Sequence, residues 1–313
     1  HRIMREAFLP EPLRGWDSKE LGDQTGLSNT GIHHQMTKLR ECGLVTAKVD
    51  GKWHRHILRG GSITSAVTMV ESQATAILGL RLSELAQMVE TSESRMATEA
   101  EDDDVPFSIR IAEPGPSEGG DRTSALASDI GIAGDSQQSD DNLPRDLLVE
   151  FCSSHQPITL LALSERLSES RGRVSTVVER MRSAGLVERA PMIDRIAQDI
   201  FAGLSRQFDA RGEDWLMSRG GLGRLEGLVS EALVAGVSKG NLNIDRVREI
   251  LSPVPLSDQR VLLNTLGGRM PYGFRMSGSD GNAVSTRVMR KAEQTLRRIR
   301  TVASRLDEAI HSS

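Results

Sequence analysis

The sequence contains only two cysteines, Cys42 and Cys152, among its 313 residues. Neither has a partner at metal-ligand spacing, so we expect no disulfide framework and no zinc finger. Aromatic residues are also scarce, with three Trp, one Tyr and six Phe, which favours helices packed on small side chains over sheets. No apolar run approaches the roughly 18 residues of a membrane-spanning helix. These absences predict a soluble, mainly helical, cytoplasmic protein.

Catalytic motifs are missing as well. The sequence has no Gly-x-Ser-x-Gly, His-Glu-x-x-His or Cys-x-x-Cys motif, and its seven histidines are scattered without an evident triad. We therefore expect no enzyme activity and no cofactor.

The net charge of −4 is distributed unevenly along the chain. Residues 91–143 carry 13 Asp or Glu and three Arg, so this segment is strongly acidic and the remainder of the chain is net positive. The segment is rich in Ser and Gly and has few large apolar residues, which predicts a flexible acidic linker. Because the acid is concentrated there, the overall charge does not argue against a polyanionic partner for the other parts of the chain.

The first segment, residues 1–60, predicts two successive helices. Asp17 and Glu20 have the spacing of a capping box, which begins a short helix. Ser28 caps a second, longer helix, and Gly43 ends it.

A β-hairpin is predicted directly after these helices. Leu44–Val49 and Lys52–Leu58 are the candidate strands, and the dipeptide Asp50-Gly51 is the candidate two-residue turn. A short helix, a turn, a long helix and a hairpin are, in this order, the elements of a winged helix-turn-helix.

Two stretches resemble a known family of winged-helix regulators. Leu27–Val45 is similar to the recognition-helix segment of the ArsR family, and Lys52–Leu58 is similar to the wing strand of that family. Gly31 departs from the bulkier residue usual there. The metal-sensing members use Cys, His and Asp ligands, and no such set maps onto this sequence. The resemblance covers about a seventh of the chain and implies binding of double-stranded DNA. Because no ligand set maps onto the sequence, we expect no metal.

The candidate DNA contacts of residues 1–60 are polar and basic side chains of the second helix and the wing. They are Ser28, Asn29, Thr30, His33, His34, Gln35, Lys38, Lys52, His54 and Arg55. Small polar residues at a helix N-terminus suit phosphate, Gln35 can bond adenine, and Lys38 can contact guanine or phosphate. The alternative is an ordinary solvated helix face.

Residues 61–90 predict one long helix with a heptad-like apolar seam. Ile63, Val67, Val70, Ala74 and Ile77 recur at steps of four and three. The seam is typical of a helix that meets another helix. We expect it to form a homodimer, with packing onto the same chain as the alternative.

Residues 144–191 predict a second helix-turn-helix that looks like a MarR-type or generic winged-helix unit. Pro157 starts its middle helix and Ser170 caps the next one, but a new helix at about residue 193 leaves little room for a wing, so we expect the wing to be short or absent. This unit can contact DNA or protein. Its candidate DNA contacts are Arg171, Arg173, Ser175, Thr176 and Arg180.

Residues 192–313 look all-helical, with helices at about 193–209, 222–237, 244–251, 257–267 and 283–310. The last helix is the most basic segment of the chain. It is either a phosphate-binding stripe or a cationic counterpart of the acidic linker. Its candidate contacts are Arg287, Arg290, Lys291, Arg297 and Arg298.

The sequence thus predicts a mainly α protein with tandem winged helix-turn-helix domains, a long dimerisation helix and an all-helical C-terminal region. The expected function is transcriptional regulation by a homodimer that binds double-stranded DNA in the nucleoid, without membrane attachment. Two alternatives stay open: a chromosome-organising protein with little sequence preference, and a tandem winged-helix adaptor that binds protein.

Overall fold

The structure is a computed structural model that describes residues 2–51, 53–96, 99–100, 105–112, 121–134 and 141–312. It is mainly helical, with two small two-stranded antiparallel sheets, which confirms the predicted mainly-α class. No described helix combines the length and the apolar character needed to cross a membrane. The chain divides into two compact units. Unit 1 comprises His1–Gln87, Phe107–Gln137 and Ser285–Ser313, and unit 2 comprises Met88–Pro106 and Gln138–Val284.

The described elements follow one another from a π-helical turn at Met4–Phe8 to a long final helix. The strands are β1 (Val45–Asp50), β2 (Trp53–Leu58), β3 (Val187–Pro191) and β4 (Tyr272–Met276). The helices are α1 (Ser18–Thr25), α2 (Asn29–Glu41), α3 (Ile63–Met88), α4 (Arg122–Asp129), α5 (Leu143–Ser153), α6 (Leu160–Arg166), α7 (Arg171–Ser183), α8 (Ile193–Ser218), α9 (Gly227–Ser238), α10 (Ile244–Leu251), α11 (Leu256–Thr265) and α12 (Gly281–His311).

The predicted helix caps of unit 1 are confirmed. The Asp17 carboxylate accepts a hydrogen bond from the Glu20 amide at 2.8 Å, and the Glu20 carboxylate accepts one from the Asp17 amide at 3.0 Å, which completes the capping box of α1. Ser28 caps α2 by accepting from the amide of Gly31. Gly43 adopts a φ of 71° after α2, a left-handed conformation that glycine takes without a Cβ clash.

The predicted hairpin is confirmed, but its turn lies one residue later than expected. Asp50 pairs with Trp53, so Asp50 is the last residue of β1 and is not part of the turn. Gly51 has a φ of 60°, which explains why the glycine sits inside the turn. Trp16, just before α1, forms an isolated antiparallel β-bridge with His56 of β2, in which each backbone amide donates to the carbonyl of the other residue.

The long helix α3 packs against α12 of the same chain within unit 1. The Asp307 carboxylate accepts hydrogen bonds from the Ile63 and Thr64 amides at 3.3 and 2.9 Å, so α12 caps the start of α3. Near the other end of α3, the Ser285 hydroxyl donates to the Leu82 carbonyl at 2.9 Å. The two helices therefore run antiparallel, and the apolar seam of α3 has a partner in its own chain.

The prediction of a flexible linker over residues 91–143 is wrong for part of that segment. In unit 1, α4 buries Leu126 and forms an ion pair of 2.6 Å between Arg81 and Asp129. In unit 2, Arg95 is fully buried and its guanidinium donates to three backbone carbonyls, including that of Ser154 at 2.7 Å. Burial and hydrogen bonding offset the entropy of ordering at these places. The acidic run 101–104 lies outside the described residues.

Unit 2 contains a second sheet that the sequence pattern did not reveal. The expectation that residues 192–313 are all-helical is wrong at β4, which pairs antiparallel with β3 from Val187–Met276 to Pro191–Tyr272. As expected, a helix begins at Ile193 directly after β3, and β3 pairs instead with the distant strand β4. Ile158, between α5 and α6, bridges Phe274 of β4. The helices α8 to α11 thus form an insertion between the two strands.

The inserted helices have their own apolar core. Leu204 of α8, Leu233 of α9, Val247 of α10 and Leu263 of α11 are fully buried in one cluster. For most ends of α9 to α11, the predicted bound lies within about two residues of the observed one. By contrast, α8 continues to Ser218, past a break at Gly212. The insertion is therefore a small helical bundle, with β3 and β4 at its two ends.

Candidate nucleic-acid interface

The helix α2 has one buried and one exposed face. Ile32, Met36 and Leu39 pack into the core of unit 1 and are at most 4% exposed. The opposite face is solvent-exposed and carries most of the predicted DNA contacts of this helix. The exposed members are Ser28, Asn29, Thr30, His33, His34 and Lys38.

Several of these exposed side chains have no ion-pair partner in the part of the chain that the structure describes. Within the described ranges, His33, His34 and Lys38 form no salt bridge or side-chain hydrogen bond. Exposed Arg40 lies on the same helix and adds a cation that the sequence interpretation missed, although its spacing of seven from His33 was a visible signal. The donors of α2 are therefore free to meet an external acceptor such as a phosphate or a base edge.

Gln35 does not lie with the other predicted contacts. It is half-buried at the edge of the core face, and its side-chain oxygen is buried without a hydrogen-bond partner among the described residues. Gly31, where the sequence departs from the ArsR pattern, leaves room at the start of α2. A Cβ there would touch only the Ser28 hydroxyl, at an ordinary 3.4 Å.

The hairpin contributes fewer external donors than predicted. His54 is exposed on β2, but Arg55 donates to the Gly15 carbonyl at 3.1 Å and lies 3.7 Å from the Glu20 carboxylate. Arg55 therefore fastens β2 to the segment before α1. Lys52 lies outside the described residues.

The buried His56 carries no charge to the hairpin at neutral pH. Burial lowers the pKa of its imidazole, and the positive field of Arg40 and the neighbouring His54 lowers it further. The cationic surface of unit 1 near the hairpin therefore comes from the exposed side chains and not from His56.

The second predicted DNA surface differs from the first in its charge pairing. Arg173 of α7 forms ion pairs with Glu169 at 2.6 Å and with Asp141 at 3.0 Å, and these carboxylates raise the pKa of its guanidinium. Arg171 is exposed, whereas Ser175 and Arg180 are half-buried. The hydroxyl of Thr176 donates to the Gly172 carbonyl at 3.0 Å, so it is already satisfied within α7.

The predicted basic stripe of α12 is only partly available. Arg287 and Lys291 are half-buried within unit 1, whereas Arg290, Arg297 and Arg298 are exposed. Arg305 is exposed as well and extends this row toward the end of the helix, as its spacing of seven from Arg298 would have indicated.

Comparison with known proteins gave no family model, no curated protein and no solved structure that matches the chain. The resemblance to the ArsR family therefore stays a prediction that rests on the motif residues alone. In the part of the chain that the structure describes, no three His, Cys, Asp or Glu side chains form a group that could hold a metal ion.

Proposed function

We propose that the chain is a transcriptional regulator that binds double-stranded DNA through a winged helix-turn-helix formed by residues 14–59. One observation carries the proposal. The second helix of a helix–helix–hairpin unit presents an exposed face of polar and basic side chains, among them Thr30, His34 and Lys38. In helix-turn-helix proteins, this helix enters the major groove and its first turns contact base edges.

The second unit is proposed to be a winged helix that has acquired an insertion. Its order of elements resembles that of unit 1, because the bridge of Ile158 to Phe274 corresponds to that of Trp16 to His56. In each unit, two helices lie between the first bridge residue and the first strand: α1 and α2 before β1, and α6 and α7 before β3. The inserted bundle occupies the place of the wing loop. Because Arg173 is already neutralised by two carboxylates, we assign the DNA contact to unit 1 and leave unit 2 as a protein-binding or scaffolding unit.

A homodimer is proposed to form through the antiparallel pair of α3 and α12. Ile299, Val302 and Leu306 of α12 lie on one side of the helix and are 47%, 55% and 44% exposed. Val70 and Ile77 in the middle of α3 are only half-buried. A row of solvent-exposed apolar side chains on a helix pair is typical of a protein–protein contact.

A chromosome-organising role is the second candidate. The exposed arginines of α12 at positions 290, 297, 298 and 305 support it, because cations spread along a helix bind the phosphate backbone without reading sequence.

Selection of bound duplexes from a random-sequence pool distinguishes the two functions. A dimeric regulator is expected to enrich an inverted repeat with half-sites about 10–10.5 base pairs apart, one turn of the DNA helix. Binding that recovers DNA without any enriched sequence would instead support the chromosome-organising role. A pool that is not retained at all would contradict both functions.

The variant Val302→Glu tests the dimer. A carboxylate in the apolar row of Ile299, Val302 and Leu306 would be desolvated at the interface. We therefore expect light scattering to show a dimer for the wild-type protein and a monomer for the variant. Val149→Glu is the matched control, because Val149 is 45% exposed on α5 in unit 2 and does not belong to the apolar row of α12. A wild-type protein that is already monomeric at micromolar concentration would contradict the proposed dimer.

A further inference from the structure

Unit 1 contains an apolar cavity beside the candidate DNA-contacting helix. Its volume is about 430 Å³, within the range of small-molecule sites in proteins. It lies among the first residues of the chain, the end of α2, the start of α3 and the last turns of α12. The lining residues are Met4, Leu9, Lys38, Leu39, Cys42, Leu44, Ile63 and Leu306.

The lining is almost wholly apolar, and one of its residues, Lys38, has a charged side chain. Met4, Leu39 and Ile63 are each less than 10% exposed and form the inner wall. The thiol of Cys42 donates to the Leu39 carbonyl at 3.4 Å, so its hydrogen is already used. Lys38 is the only charged residue among the described lining residues. The wall therefore favours an apolar molecule, and the lysine favours one that carries a single negative charge.

The position of Lys38 suits this combination. The residue is exposed and, in the described part of the chain, its ammonium group is in no ion pair with a carboxylate. A lysine can lay its methylene groups along an apolar wall and keep its ammonium group at the water-filled rim. An acid whose apolar part fills the cavity would thus place its carboxylate beside an unneutralised cation.

We propose that this cavity binds a small apolar carboxylic acid, with its hydrocarbon part against Leu39, Ile63 and Leu306 and its carboxylate paired with Lys38. Nucleotides and sugars do not fit this lining, because they would bury many polar groups against apolar walls without hydrogen bonds.

The site would also regulate DNA binding, a step that rests on the proposed function. Lys38 lies on the exposed face of α2 and is one of the candidate DNA contacts. A carboxylate bound to its ammonium group neutralises the charge that would otherwise meet the DNA. By linkage, the acid weakens DNA binding, and DNA weakens binding of the acid by the same factor.

Isothermal titration calorimetry of the full chain with octanoate and with its neutral analogue octanamide tests the site without DNA. We expect one octanoate per chain, bound at least about tenfold more tightly than octanamide because of the charge-assisted pair. Lys38→Met keeps the stem but removes the charge, so it should abolish this preference. Lys19→Met, which replaces an exposed lysine of α1 outside the cavity, should keep it. Equal binding of the two compounds by the wild type, or no binding of either, overturns the proposal.

Cys42→Phe locates the site. The larger side chain should occupy the cavity and reduce binding of octanoate and octanamide alike by about tenfold or more. A thermal melt equal to that of the wild type shows that the variant folds. Unchanged octanoate binding by the folded variant would place the ligand elsewhere and overturn the proposal.

Fluorescence anisotropy with labelled duplex DNA then tests the coupling. Octanoate at saturating concentration should weaken DNA binding severalfold, and octanamide should not. Octanoate that binds in calorimetry but leaves DNA affinity unchanged overturns the regulatory step. A chain that binds octanoate but no DNA overturns the proposed function and leaves the ligand site standing.

Discussion

Simultaneous replacement of His33, His34 and Lys38 by alanine is expected to weaken binding of the intact protein to its preferred duplex by about 100-fold or more. A good contact between a side chain and a base edge contributes about 1–3 kcal/mol, and three such side chains are removed together. All three are exposed, and alanine favours helix, so the fold should persist. Fluorescence anisotropy titration with labelled DNA measures the change in Kd.

Lys239→Ala is the matched control for this experiment. Lys239 is exposed at the end of α9 in the inserted bundle, far along the chain from α2. Its replacement removes the positive charge of one lysine, as the replacement of Lys38 does within the triple variant, and should leave the Kd within about twofold. If the triple variant binds DNA as tightly as the control, α2 is not the helix that contacts the DNA bases.

Replacement of Arg275 by methionine is expected to lower the free energy of unfolding of unit 2 by about 3–5 kcal/mol. The Arg275 guanidinium lies 2.9 Å from the Glu188 carboxylate, and the two side chains are only 1% and 8% exposed. They are direct partners across β3 and β4. Loss of the arginine leaves a buried carboxylate without its cation, which is the reason for the large effect. Chemical denaturation monitored by circular dichroism measures it.

A double variant separates the ion pair from the general effect of mutation. Arg275→Met combined with Glu188→Leu removes both charges and should recover most of the lost free energy, because apolar pairs often replace buried ion pairs without loss. Arg269→Met, at an exposed position shortly before β4, should change the free energy by about 0.5 kcal/mol or less. A small effect of Arg275→Met alone would contradict the buried ion pair between Arg275 and Glu188.

The local features of unit 1 could be predicted from the sequence because their signals lie within a few residues. The capping box of Asp17 and Glu20 and the cap at Ser28 depend on a spacing of three, and both are present. The hairpin was expected from a Gly-containing turn between two candidate strands, and β1 ends one residue later than expected, at Asp50. The strand β4 carried no such signal, since its partner lies on the far side of a whole helical bundle.

The apolar period of α3 indicated a helix partner but not which one. A repeat of four and three residues is equally satisfied by a second chain or by α12, and Asp307 of α12, which caps α3, is 243 positions away from Thr64. The composition of residues 91–143 likewise hid α4, because one short helix with a buried Leu126 changes the average of a long polar segment very little.

The candidate site was predictable where helical geometry alone decides exposure. Spacing placed His33, His34 and Lys38 away from the core, and they are exposed. Gln35 lies at the border between the two faces, where the packing of neighbouring elements decides its burial. The neutralisation of Arg173 was hidden because one of its two carboxylates, that of Asp141, is 32 positions distant in sequence.

Titration of the intact protein with duplex DNA at about 50 and 200 mM salt tests the central proposal most directly. The free cations of unit 1, such as Lys38 and Arg40, should bind phosphates and release counterions, so binding should be tight at low salt and weaken steeply, by about tenfold or more, at high salt. Affinity for one selected sequence should exceed that for random DNA at both concentrations. No binding at either salt concentration would contradict the assignment of this chain as a DNA-binding regulator.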